Sequence, residues 1–164
     1  MADETTQSSV ETDRAYGVAF NNRVWELLAK PERSRDEDEE LIHAAHASYL
    51  HWCVAGTALH RQRGLWMISH VYAQLGFGER ALHYARKSAT LSVEYEKLMR
   101  DFDLCYASEA MARAHAVLGE HGEASKHFAL AYRAGKKILG EKDKEIFLGD
   151  LNEGNWGDFQ AAES

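Results

Sequence analysis

The sequence is short of the residues that interrupt helices or cross-link chains, with one proline, Pro31, and two cysteines, Cys53 and Cys105. Two cysteines far apart in apolar helical runs give neither a disulfide framework nor a zinc ribbon. We expect both to be buried free thiols, as is typical of a reducing compartment. Alternating strand patterns and Asn-Gly or Asp-Gly hairpin turns are also missing, which argues against a β fold.

Long apolar runs and an excess of basic residues are absent as well. No segment approaches the ~20 apolar residues of a membrane span, and no signal segment opens the chain. The 19 lysines and arginines are outnumbered by 26 aspartates and glutamates, which gives a net charge of −7. Binding nucleic acid through its phosphates requires the opposite sign. These absences predict a cytoplasmic protein that binds neither membrane nor nucleic acid.

The chain does contain enough apolar residues, 45% of 164, for one buried core. Their periodicity is helical throughout and predicts an all-α fold of about seven helices. The expected helices cover residues 11–29, 36–56, 58–75, 78–100, 101–118, 122–139 and 143–151. The acidic segment 1–13 is predicted to be disordered, 14–153 to form the helical domain, and 154–164 to be a flexible tail.

One helix-turn-helix sequence occurs twice. At an offset of 43 residues three features of the first copy align with the second: Leu75-Gly76 with Leu118-Gly119, Ala73 with Ala116, and Ala81 with Ala124. Glycine after the leucine suits the left-handed position that ends a helix. Self-similarity at a fixed period predicts antiparallel helix hairpins stacked side by side, an arrangement that usually forms binding surfaces.

Bulky, small and aromatic residues recur at matching positions of the two copies. They are Leu65, Ile68, Ser69, Tyr72, Leu75, Gly76, Ala81, Ala85 and Ser88, and then Ser108, Met111, Ala112, His115, Leu118, Gly119, Ala124, Phe128 and Ala131. This pattern resembles the tetratricopeptide repeat (TPR), and segments 44–52 and 66–72 resemble bacterial members of that family. The resemblance implies a TPR-like α-solenoid over about 57–139, with the first two helices as a divergent unit and the seventh as a cap.

The sequence departs from the family pattern in several ways. Its offset of 43 residues exceeds the usual 34, and neither copy ends in proline. His115 stands in place of an aromatic residue and Ser108 in place of a bulky one. A longer second helix or a longer turn after it accounts for the spacing.

The resemblance implies that the first helix of each pair lines a concave groove that binds a partner. The positions so implied are Arg63, Trp66, His70, Gln74, Tyr106, Glu109 and Arg113. Their three- and four-residue spacing places each set on one helix face, and tryptophan, tyrosine and arginine are common interface anchors. We therefore predict a non-catalytic scaffold for a protein or peptide partner. The competing interpretation is that Trp66 packs against the first helix and Glu109 pairs with Arg113.

Two other arrangements remain open at this stage. In one, the first helix fills the groove of its own chain. In the other, the protein forms a homodimer through a flat face of the first, second or seventh helix, where Trp25, Trp52 and Trp156 are available.

Nine histidines raise the question of a metal site. Glu40-Leu-Ile-His43 matches the Glu-x-x-His element of di-metal helix bundles, and His46 and His51 lie nearby. A second such element is missing, since Glu79…His83 and Glu123…His127 are spaced differently. The sequence therefore predicts no cofactor and no metal ligand. The alternative function is a metal-binding helical-bundle protein or enzyme that uses Glu40, His43 and His46.

Enzyme motifs give no stronger signal. The segment from Gly76 to Ala81 formally matches a dinucleotide-binding fingerprint, but that motif must follow a strand, whereas a helix precedes it here. Its glycine recurs in the second copy, which identifies a repeat turn. No nucleophile elbow or phosphate-binding loop is found, and the prediction is that the protein is not an enzyme.

Overall fold

The computed structural model describes residues 4–161, including the side chains of residue 7 and residues 9–161. In this range the chain forms α1 (Glu4–Leu28), α2 (Arg35–Ala55), α3 (Ala58–Gln74), α4 (Gly78–Glu94), α5 (Asp101–Val117), α6 (His121–Gly135) and α7 (Glu141–Asp150). These residues include no strand, so the prediction of an all-α fold with seven helices is confirmed. None of the described helices has both the length and the apolar character needed to span a membrane.

Successive helices pack against one another as hairpins. The pairs α1/α2, α3/α4 and α5/α6 are in contact, and each pair also contacts the next through α2 with α3 and through α4 with α5. In addition, α3 contacts α5, and α5 contacts α7. The odd-numbered helices therefore share one side of the molecule. This packing is consistent with a helical repeat.

The two Leu-Gly sequences end α3 and α5 in the same way. Gly76 and Gly119 have φ of 81° and 77°, a left-handed conformation that glycine adopts without a Cβ clash. The backbone N–H of Phe77 donates to the Tyr72 carbonyl at 2.8 Å, and that of Glu120 donates to the His115 carbonyl at 2.9 Å. Both turns are thus Schellman motifs, as the sequence predicts.

The first helix begins earlier than predicted. Residues 4–13, assigned to a disordered segment from their composition, are helical in the structure, and residues 1–3 lie outside the described range. Asp13 pairs with His51 of α2 at 2.6 Å, and Tyr16 stacks on the same ring with centroids 5.2 Å apart. Composition alone gives no sign of these tertiary partners.

The fourth helix ends earlier than predicted. It stops at Glu94 instead of Arg100, and a 3-10 turn at Glu96–Leu98 follows. The backbone N–H of Arg100 donates to Asp103 Oδ2 at 2.9 Å. This bond holds Arg100 in an extended conformation as the N-terminal cap of α5, so α4 has to end before it.

The sixth helix ends at Gly135, before the predicted Leu139. A Cβ at Gly135 would lie 2.5 Å from the Phe147 ring, so the glycine lets α7 pack directly on the backbone. Phe147 is fully buried there in a small core with Ile138 and Cys105. Cys105 is therefore buried as expected, whereas Cys53 is exposed and the prediction of a buried thiol is wrong for it.

Candidate functional site

A groove opens between α1 and α7, with α3 and α5 as its floor. It consists of two adjoining cavities of about 320 Å³ each. The residues that line both are Trp25, Trp66, Tyr106 and Asp150. One, which we call the apolar cavity, is also lined by Met67, Phe102 and Ile146. The other, which we call the polar cavity, is also lined by His70, Gln74, Glu109 and Arg113.

All seven sequence-predicted residues lie in this groove. Arg63 lines the apolar cavity, and Trp66 and Tyr106 line both cavities. The other four line the polar cavity: His70, Gln74, Glu109 and Arg113. The structure therefore brings the predicted set together, although these side chains differ in their access to a partner. Whether they bind one stays a prediction.

The floor of the polar cavity is a buried ion pair. Arg113 Nε donates to Glu109 Oε1 at 2.5 Å, and both side chains are only 2% exposed. The indole N–H of Trp66 donates to the other oxygen of Glu109 at 3.1 Å. Trp66 also lies against Trp25 of α1, with ring centroids 6.2 Å apart. Both contacts of the competing interpretation are thus present inside the groove.

Arg113 also holds the chain after α7 in place. Its guanidinium donates to the carbonyls of Asp150 at 3.0 Å and Glu153 at 2.8 Å, and it lies 4.1 Å from the ring centroid of Trp156. A buried arginine with several acceptors fixes geometry well because its donors form a rigid fork. The segment that follows α7 is consequently fastened to the end of the groove.

Gln74 makes the second attachment. Its Oε1 accepts from the Asn155 backbone N–H at 3.0 Å, and the Asn155 side chain donates to the Ala73 carbonyl at 3.0 Å. Further along, Phe159 packs near Phe128 with centroids 6.0 Å apart. The described part of the segment predicted to be a flexible tail, 154–161, is therefore held against α3, α5 and α6 through these contacts.

His70 is a titratable group of the polar cavity whose ring lies among aromatic side chains. Its ring stacks on Trp66 with centroids 5.1 Å apart and lies 6.4 Å from Trp25. Burial lowers the pKa of His70 to about 4; Glu109 opposes this shift and Arg113 adds to it. No protein atom bonds to its buried Nδ1. The imidazole is thus neutral at pH 7 and retains unused hydrogen-bonding capacity.

Tyr106 and Asp150 join α5 to α7. The Tyr106 hydroxyl donates to Asp150 Oδ2, and the Tyr106 ring packs edge-on against Phe147 at 4.8 Å. Burial raises the pKa of both groups, and their hydrogen bond raises that of Tyr106 further while opposing the rise at Asp150. The phenol is therefore a fixed wall of the groove.

The apolar cavity has exposed side chains on the helices at both of its sides. Trp25 and Ile146, on opposite walls, are 45% and 49% exposed. Arg63 bonds to both oxygens of Asp103 at 2.8 and 3.0 Å and lies 5.1 Å from the centroid of Phe102. Trp25 and Ile146 were not predicted for the groove, because the repeat pattern covers neither α1 nor α7.

A larger hollow, of about 800 Å³, lies outside this groove. Its walls include Arg61, Arg86 and Lys87, and none of the sequence-predicted site residues lines it. Exposed, charged side chains of α4 make up much of its surface, whereas the groove has a floor of buried, mutually bonded groups. The groove is for this reason the better-defined site.

The histidines of α2 are divided among different contacts. Both oxygens of Glu40 accept hydrogen bonds from Arg23, at 2.7 and 3.0 Å, and His46 Nε2 lies 3.1 Å from the Tyr72 hydroxyl. His43 is exposed. Within residues 4–161, the one group of three potential metal ligands whose atoms all lie within 4.8 Å of one another is elsewhere: His115, Glu123 and His127.

Similarity to known proteins adds no ligand or activity to this description. What the groove binds has to be inferred from its own side chains. No family model, no curated protein and no solved structure matches the chain.

Proposed function

We propose that the protein is a non-catalytic, TPR-like scaffold that binds a peptide or protein partner in the groove between α1 and α7. The observation that carries the proposal is the convergence of the seven predicted residues with an exposed tryptophan, Trp25, on one concave surface. Large aromatic side chains at the centre of a groove are typical interface anchors.

The apolar cavity is the expected point of attachment. Its volume of about 320 Å³ is at the lower end for a ligand pocket, and suits one or two apolar side chains of a partner. Trp25 and Ile146 would close over such a side chain from both walls. Burying their exposed parts would supply most of the binding free energy, since apolar burial contributes roughly 25 cal/mol per Å².

The polar cavity would support the partner without taking part in chemistry. Two of its carboxylates are already bonded: Glu109 to Arg113 and Trp66, and Asp150 to Tyr106. Groups committed to such bonds keep the floor rigid, which lowers the entropic cost of binding. Among the groove's titratable groups, His70 alone has a buried nitrogen without a hydrogen-bond partner, and its neutral ring adds no charge to the cavity.

A peptide-library selection against the full chain tests the proposal. The strongest binders are titrated against wild type, Trp25→Ala, and the control Leu50→Ala, whose leucine is 63% exposed on α2 and outside the groove. Loss of an anchor typically costs at least about 2 kcal/mol, so we expect a roughly 30-fold or larger rise in Kd for Trp25→Ala. Kd for Leu50→Ala should stay within about two-fold.

Two outcomes would contradict the proposal. If Trp25→Ala and Leu50→Ala weakened peptide binding equally, or if neither weakened it, the groove would not be the binding surface. Light scattering on the same samples identifies the remaining alternative. A mass of twice 18.5 kDa that falls to the monomer value in Trp25→Ala would show a second copy of the chain in the groove in place of a different partner.

A further inference from the structure

A cluster of three potential metal ligands spans the α5/α6 hairpin. His115 lies near the end of α5, and Glu123 and His127 lie one turn apart on α6. Their ligand atoms are all within 4.8 Å of one another. The two imidazole rings are almost parallel, with an interplanar angle of 6° and centroids 5.6 Å apart. None of the three lines the groove.

Glu120 prepares one of these histidines as a ligand. Its Oε2 lies 2.5 Å from His115 Nδ1. A carboxylate only accepts hydrogen bonds, so in the neutral ring Nδ1 carries the proton and Nε2 has the free lone pair. A histidine that binds a metal almost always donates its other N–H to such a group, which fixes the ring and makes it a better ligand.

Two of the three ligands are accessible to an ion from solvent. The side chains of His127 and Glu123 are 20% and 51% exposed. That of His115 is 7% exposed, so it would form the inner side of the site.

We propose that His115, Glu123 and His127 bind one divalent transition-metal ion, with Zn²⁺ as the best fit, and that Glu120 orients His115. Two imidazoles and a carboxylate are a ligand set typical of Zn²⁺ with one position open to solvent. Mg²⁺ and Ca²⁺ prefer oxygen ligands only. Glu123 Oε2 and His127 Nε2 are 3.9 Å apart, close to the roughly 3.3–3.6 Å between tetrahedral ligands of Zn²⁺, and small side-chain rotations would close the site.

The bound ion would fasten α5 to α6 beside the Gly119 turn. Its position differs from the Glu40, His43 and His46 set on α2. The spacing of Glu123 and His127 does not match the Glu-x-x-His element of di-metal bundles, but four residues still place both on one helix face. Their third ligand comes from the preceding helix through the Leu-Gly turn.

Zn²⁺ titration of the full chain, without an affinity tag and after chelator treatment, tests the proposal. Calorimetry should give one ion per chain, and thermal unfolding should shift to higher temperature with Zn²⁺. We expect His127→Ala to weaken Zn²⁺ binding by more than about 100-fold. Glu120→Gln should weaken it by about 10–100-fold with unchanged stoichiometry, the range typical when a metal ligand loses its hydrogen-bond partner. The control His43→Ala, at an exposed helix position, should bind as wild type does.

Other results would overturn the proposal. These are no Zn²⁺ binding by wild type, binding that His127→Ala leaves unchanged, or equal losses in His127→Ala and His43→Ala. Circular dichroism of the metal-free variants checks that they fold. Glu123→Ala, at a largely exposed position, provides a second ligand variant with the same expected loss if His127→Ala is unfolded. Because these residues lie outside the groove, the outcome is independent of the peptide-binding experiment.

Discussion

Arg113 and Glu109 form an ion pair at 2.5 Å in which both side chains are 2% exposed. The pair lies at the base of the groove and at the attachment point of the chain that follows α7. Taking two charges out of water is costly, and the geometry has to compensate for it. Here the remaining donors of Arg113 bond to backbone carbonyls, so the pair is coupled to the position of the C-terminal segment.

Arg113→Met should therefore destabilise the fold strongly. It leaves Glu109 buried and charged with only the Trp66 N–H as a partner, and the loss of one member of a buried pair costs about 3–5 kcal/mol. Urea unfolding measures the change in free energy of unfolding. The control Arg133→Met, at an exposed position of α6, should change it by less than about 0.5 kcal/mol.

Adding Glu109→Gln to the Arg113→Met variant should recover part of the loss, because the second change removes the uncompensated charge. A double variant as unstable as the single one would instead assign the effect to the lost carbonyl contacts of Arg113.

Gly78 should tolerate no larger residue, since α4 begins against the C-terminal end of α5. A Cβ at Gly78 would lie 2.7 Å from Leu118 Cγ, and overpacking of this kind costs about 1–3 kcal/mol. Gly122→Ala is the matched comparison, because no atom lies within 4 Å of its added Cβ; we expect a gain of about 0.4–1 kcal/mol. Thermal unfolding should show a lower Tm for Gly78→Ala and a higher Tm for Gly122→Ala than for wild type.

His70 should make the protein less stable in weak acid. The folded-state pKa of about 4 lies below the free value near 6.5, so the unfolded chain binds the proton first and stability falls as pH decreases from about 6.5 to 4. The full effect is on the order of 3 kcal/mol. His70→Asn should flatten this part of the pH profile of unfolding, while His43→Asn, at an exposed position, should not.

The pKa of Asp150 is raised in the folded state, so the folded protein binds a proton there more readily than the unfolded chain does. Protonation of Asp150 therefore raises stability as pH falls, whereas protonation of His70 lowers it. The comparison of the two histidine variants isolates His70, since Asp150 is present in both. Parallel pH profiles for wild type and His70→Asn would contradict the assignment.

The two cysteines should differ in reactivity. Cys53 is exposed, and Cys105 is buried with its pKa raised to about 11 by burial, and next by Asp101. A disulfide reagent should label one thiol per native chain rapidly, because thiolate and access both control the rate. Cys53→Ser should abolish this fast phase and Cys105→Ser should preserve it; retention of the fast phase in Cys53→Ser would contradict the assignment.

The local features of the fold were predictable from sequence. Seven helices and both Leu-Gly turns follow from apolar periodicity and from a glycine at the left-handed position. Within α3 and within α5 the predicted groove residues share a helix face, because three- and four-residue spacing fixes which side chains do so. These inferences concern residues close together in the chain, whereas the meeting of the two sets was implied by the resemblance to the tetratricopeptide repeat.

The walls of the groove were not predictable in the same way. Trp25, Ile146 and Asp150 belong to helices outside the duplicated unit, and their meeting depends on how far apart helices pack. The same limit applies to His115 and Glu123. Comparison of α6 alone with the Glu-x-x-His motif rejected Glu123 and His127 as ligands because of their spacing. The comparison could not include His115, which the turn at Gly119 brings close from α5.

The two walls of the groove come from helices on either side of the duplicated unit. Trp25 is synthesised before both copies and Asp150 after them, although both line the same two cavities. A growing polypeptide that has emerged only through α6 contains both copies but lacks one wall of the groove. The groove is therefore first complete when α7 has emerged and packed against α5.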